Sequence, residues 1–188
     1  MDRAAAYAAA RNDADQHGSN GERATTQAQL AFVTAFTSPQ AADAELALAE
    51  QYLTGLNLRA TRITLQTTAL VRDAGTSNSD LGERARLLRA DIAAAGLDSA
   101  QATLERAMCF HHAVRGAADC AAASIARLHD LTRGGDYAYY VDIAHFMAGL
   151  PQQPHATVRW LHGPDAAWNN WRRIITTRQE FLERGGRL

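Results

Sequence analysis

The sequence predicts an all-α protein of antiparallel helical hairpins forming a bundle, and three observations carry that prediction. Apolar residues make up 47% of the 188 residues and alanine leads them, while aromatics contribute 7%. Alanine is the strongest intrinsic helix former, and its small side chain lets helices approach closely. The chain holds only four prolines and few Val/Ile runs that would suit a sheet. Helix start and stop signals recur along it, separated by connections short enough to make successive helices antiparallel neighbours.

The elements follow from those signals. Residues 1–20 read as an N-terminal helix and loop. Ser19-Asn20-Gly21-Glu22 has the form of a capping box and opens a helix from Gly21 to Phe36. Ser38-Pro39 places an N-cap before a proline at the first helical position, for a helix ending near Gly55. Residues 62–71, RITLQTTALV, alternate like a strand at Ile63, Leu65, Thr67, Ala69 and Val71. A lone strand would find no partner elsewhere in the chain, so helix is the reading. Asp80 opens a helix whose Leu81, Ala85, Leu88, Ile92 and Ala95 keep helical spacing, and Gly96 caps it. Asp98 begins the next helix. Gly134-Gly135-Asp136 then stops the chain before a helix over Tyr137–Gly149, which Pro151 ends. Pro164-Asp165 opens a last helix through Arg184. Residues 21–151 thus form a helical core domain, and residues 152–188 a Trp/Arg-rich helix docked on it. Helix pairs recur about every 35–40 residues between Glu45 and Gly149, which offers a short tetratricopeptide-like α-solenoid as the alternative. The consensus positions of that repeat are not matched, so a bundle is expected.

Composition excludes several functions. All nineteen basic residues are arginine and none is lysine, a bias that GC-rich bacterial codon usage explains. Without lysine there is no side-chain Schiff base and no Walker-A phosphate loop. A net charge of −1 provides no global field toward nucleic acid or an anionic membrane. No segment offers the eighteen or so apolar residues of a membrane span, and the opening stretch lacks the leucine-rich centre of a secretory leader. Two cysteines make no disulfide framework. A cytoplasmic protein without a cofactor is the expectation.

Met108–Asp130, MCFHHAVRGAADCAAASIARLHD, holds both cysteines and three of the seven histidines. Taken as one helix over Ser99–Leu131, it carries a core stripe of Phe110, Val114, Ala117, Ala121, Ile125 and Leu128. Cys109, Ala113, Gly116, Cys120 and Ala123 form a small-residue stripe beside it. On such a helix Cys109 and Cys120 lie about 16 Å apart, and His111 and His129 about 27 Å, so neither pair can share an ion. A break at Gly116 would change that geometry.

Two constellations remain. Asp142 and His145 are side-by-side neighbours on the mostly apolar helix Tyr137–Gly149, where an acid–imidazole pair could bind metal with a histidine such as His112 or His111. From His155 onward, six arginines face Asp165, Glu180 and Glu183, a local charge of +3, and all three tryptophans lie there. Trp168 and Trp171 with Arg172 and Arg173 are the residue types favoured at protein interfaces. They would serve single-stranded nucleic acid less well, because Trp168, Trp171, Ile175 and Leu182 line an ordinary docking face. The sequence therefore predicts a non-enzymatic interaction module, an adaptor, regulator or accessory subunit, whose partner is another protein or a second copy of itself. The alternative is a small metal- or ligand-binding protein or enzyme built on Asp142 and His145, and the second alternative is nucleic-acid binding through the C-terminal arginines.

Overall fold

The computed structural model describes residues 3–74 and 80–132. Among them are seven helices and no strand: α1 Arg3–His17, α2 Asn20–Thr37, α3 Pro39–Tyr52, α4 Arg59–Asp73, α5 Leu81–Ala95, α6 Asp98–Val114 and α7 Ala118–Thr132. Each helix packs on the next in sequence, and α4 also packs on α2 and α6. The result is a bundle of antiparallel hairpins, and no solenoid arrangement is needed to describe it. The helices expected over Tyr137–Gly149 and 164–184, and the Trp/Arg-rich segment 152–188, lie outside the described residues.

The helix ends show how closely local chemistry was followed. The Ser19 backbone N–H donates to Glu22 Oε2 at 2.8 Å while the Glu22 N–H donates to Ser19 Oγ at 3.3 Å, completing the capping box. Arg23, one turn into α2, donates from Nε to Ala14 O (3.2 Å) and from Nη2 to Asp15 O (3.1 Å), so it covers carbonyls at the C-terminal end of α1. The expected N-caps at Ser38 and Asp80 are in place, but neither side chain caps. Ser38 is the single residue between α2 and α3, and its N–H closes the preceding helix on Thr34 O at 2.7 Å. Asp80 instead turns toward Arg84, 3.6 Å away. Helix α3 ends at Tyr52, and a turn carries the chain through Gly55.

Two further ends depend on a left-handed glycine. At Gly96, with φ 65°, the Leu97 N–H reaches back to Ile92 O at 3.3 Å. At Gly116, with φ 69°, the Ala117 N–H reaches His112 O at 3.0 Å. Both are six-to-one closures of the Schellman type. The second overturns the expectation of one helix across Ser99–Leu131, because the chain stops at Val114 and restarts at Ala118. Helical register is lost across the turn, and the stripes change with it. Cys109, rather than Phe110, joins Ala121, Ile125 and Leu128 in the core between α6 and α7, together with Ala102.

Two larger apolar clusters fill the rest. Ala24, Ala28 and Ala31 of α2 meet Leu46, Ala49 and Leu53 at the α3 end, with Leu65 of α4. The second cluster joins Ile63 and Leu70 of α4, Leu81, Ala85, Leu88 and Ile92 of α5, and Leu104 and Met108 of α6. Helix α4 serves both. Thr61, Leu65 and Thr68 form one buried stripe and Ile63, Thr67 and Leu70 another, each at 4-3 spacing. Two helical stripes offset by two residues read in sequence as alternation, which is why 62–71 resembles a strand.

Gly96 has no neighbouring atom within 4 Å of where a Cβ would stand, so replacing it carries a conformational cost alone. Gly96→Ala is expected to lower stability by about 1 kcal/mol, the cost of a Cβ in the left-handed region. Gly96→Asn should lose less, and urea denaturation of the two variants measures the difference.

Candidate functional site

Helix α6 carries Ala102, Glu105, Cys109 and His112 at 3-4-3 spacing, so a carboxylate lies in the stripe that faces its neighbours. Glu105 is 0% exposed. Arg89 of α5 meets it side-on, from Nε to Oε1 and from Nη2 to Oε2, the latter at 3.2 Å. Arg127 of α7 donates from Nε to Oε2 at 2.9 Å, and Gln101 Nε2 donates to Oε1 at 3.3 Å. Arg127 Nη2 also donates to the hydroxyl of buried Ser124 at 3.1 Å. Four donors from three helices fill the acceptor positions of one carboxylate, which is what keeps a charge tolerable in the interior.

The neighbouring groups are held in their neutral forms. Burial, helped by the negative charge of Glu105, pushes the Cys109 thiol up to about 12, so it is no thiolate nucleophile at neutral pH. His111 is buried, and its Nδ1 donates to the Ala74 carbonyl beyond the end of α4 at 3.3 Å. Burial and the charge of Arg115 lower its pKa against that hydrogen bond. The half-buried His112 is lowered by burial first, then by His111, Arg127 and Arg89, with Glu105 opposing. The two imidazoles stand edge to face, with ring centroids 5.5 Å apart.

A second arginine knot ties α3, α4 and α5. Arg72 donates from Nε to Asp73 Oδ1 at 2.7 Å and from Nη1 to Asp43 Oδ1 at 2.6 Å. Arg84 Nη1 donates to Asp73 Oδ2 at 2.8 Å. Burial acts to raise the Asp73 carboxyl, but the hydrogen bonds and charges of Arg72 and Arg84 outweigh it and hold the group below the usual range.

Of the residues singled out by sequence, His112 is placed beside the Glu105 cluster. Asp142, His145, Trp168, Trp171, Arg172 and Arg173 lie outside the described residues. Among the described residues, no group of three or more His, Cys, Asp or Glu side chains could hold a metal ion. Cys109 is buried and Cys120 exposed, and neither is part of a disulfide. Sequence reasoning missed Arg89, Gln101, Glu105, Ser124 and Arg127. The available signal was Glu105 itself, an acid in step with Ala102 and Cys109. Compared with known proteins, the chain matches no family model, no curated protein and no solved structure.

Two expectations follow. Both imidazoles resist protonation in the folded state, so the unfolded chain takes up protons first as pH falls below the ordinary histidine value of 6.5. Stability is therefore complete above that pH and declines as pH drops through the lower folded values. Denaturation midpoints at pH 7.5 and 5.5 measure the decline, as two conditions about 1 unit either side of the ordinary value, and His111→Gln should reduce it. Arg89→Met, which strips a buried carboxylate of its side-on partner, should cost about 3 kcal/mol.

Proposed function

We propose that the chain is a non-enzymatic helical interaction module, an adaptor, regulator or accessory subunit working in the cytoplasm. It binds another protein through the outer face of α7 and the Trp/Arg-rich residues 152–188, with Trp168, Trp171, Arg172 and Arg173 as contacts. The observation that carries this reading is an exposed small-residue face on α7. Among the described residues that helix packs on α6, and its Ala122, Ala123, Ala126 and Leu131 are exposed, the leucine by 38%. A strip of alanines admits a second helix at close range, and Asp119 and Asp130 bracket it along the same face. The partner that fits is an amphipathic helix whose basic residues flank a narrow apolar seam. The chemistry of the buried cluster supports a non-catalytic role, because its carboxylate is filled with donors and its thiol is held protonated.

Native mass spectrometry of the protein isolated from its host without chelator tests this. A second polypeptide at fixed stoichiometry on the 20.4 kDa chain is the expected result. Ala126→Arg places a bulky cation on an exposed helical site, so it should release that partner while leaving the circular dichroism spectrum unchanged. Retention of the partner by Ala126→Arg would remove the α7 face from the interface. A stoichiometric metal or small molecule on an otherwise bare chain would replace the reading altogether, and a dimeric mass would make the partner a second copy.

A further inference from the structure

The two arginine knots have the same components and opposite charge balance. In the knot at Asp73, two guanidiniums are shared among three carboxylates, since Arg72 reaches Asp73 and Asp43, and Arg84 reaches Asp73 and Asp80. At Glu105 two guanidiniums converge on one carboxylate, leaving a surplus of one positive charge. That surplus sits where water only partly screens it. Glu105 is fully enclosed, and the Arg89 and Arg127 side chains are 27% and 43% exposed.

The hydrogen bonding shows where the surplus points. Each arginine is engaged along its Nε–Nη2 edge, Arg89 by Glu105 alone and Arg127 by Glu105 and Ser124. Neither Nη1 donates to another group among the described residues. A guanidinium held side-on presents its Nη1 end away from the bound carboxylate. The two forks are close together, because Arg89 Nη2 and Arg127 Nε both bond to the one oxygen, Oε2. They come from α5 and α7, which both pack on α6, and their orientations are fixed by bonds already formed. Little side-chain freedom is lost when a further acceptor arrives.

We propose that the outward Nη1 ends of Arg89 and Arg127 form a binding site for a small tetrahedral oxyanion of the phosphate class. Such an anion offers three or four oxygens and up to two negative charges to the two forks, whereas a free carboxylate brings two oxygens and a single charge. Glu105 is the positioning residue. It holds both guanidiniums and is itself saturated, so it does not compete for their remaining donors. Binding would offset the surplus positive charge and link α5 to α7.

The test is a titration of the full-length protein with sulfate, whose charge is constant around neutral pH, followed by NMR of the arginine Nε–H signals. The Arg89 and Arg127 signals are expected to move saturably, while sodium chloride at matched ionic strength leaves them in place. Arg127→Lys keeps a cation beside Glu105 but removes the fork, and should weaken sulfate about tenfold, the loss of one charge-assisted bond. Arg86→Lys, on the exposed side of α5 with its side chain 66% exposed, should leave sulfate affinity unchanged. Competition by inorganic phosphate and by glycerol phosphate distinguishes the sources. Equal competition identifies the free anion, and stronger competition by the ester identifies a phosphoryl group carried on a larger molecule. Shifts that follow ionic strength alone overturn the proposal, as does an equal effect of Arg86→Lys and Arg127→Lys, or acetate competing as well as phosphate. If Arg127→Lys fails to fold, the titration of the unaltered protein still decides.

Discussion

Helix α4 has to be covered on two sides at once, and the rest of the bundle is arranged to do it. Its Thr61–Leu65–Thr68 stripe and its Ile63–Thr67–Leu70 stripe are both buried, so α2 and α3 must close one side while α5 and α6 close the other. Burying hydroxyls along both stripes is tolerable because each finds an acceptor. Thr67 donates to Ile63 O at 2.8 Å, Thr68 to Thr64 O at 2.7 Å, and Thr61 pairs with Thr25 of α2 at 3.2 Å. Four of the described helices surround α4, and among the described residues α1 packs principally on α2 and α7 on α6.

Helix α5 transmits that order to the far end. Its apolar stripe of Leu81, Ala85, Leu88 and Ile92 closes on α4 and α6, and it supplies an arginine to each polar knot. Arg84 reaches back to Asp73 and Arg89 reaches forward to Glu105. Both acids are buried, and taking a carboxylate out of water is costly unless several donors meet it. The knots therefore specify how helices from three parts of the chain are aligned, more than they add net stability. The apolar surface beside them supplies that stability, at roughly 25 cal/mol per Å² buried.

Much of this architecture is legible in the sequence, for local reasons. The capping box at Ser19–Glu22 and the glycine stop at Gly96 are encoded within a few residues, and the structure places both. The stripe over Leu81–Ile92 is legible because α5 has one buried side. Residues 62–71 are harder to read, since a helix buried on two sides loses the single polar face that identifies it. The break at Gly116 is hidden for a different reason. Small residues lie on both sides of it, and apolar spacing alone does not distinguish a glycine that packs from one that turns left-handed. The Glu105 cluster depends on Arg89, sixteen positions earlier, and Arg127, twenty-two later. Such pairings are set by how α5, α6 and α7 pack, which no local pattern contains.

The turn at Gly116 also divides the two thiols between different environments. Cys109 is enclosed among Ala102, Ala121, Ile125 and Leu128, whereas Cys120 stands exposed in the first turn of α7. A maleimide fluorophore or spin label therefore has a single native point of attachment, in the exposed first turn of α7 and free of the interior. Lysine-directed crosslinkers find no side-chain amine anywhere in the sequence. The unaltered protein thus comes with one addressable position, from which distances to α7 can be followed without engineering a cysteine or removing one.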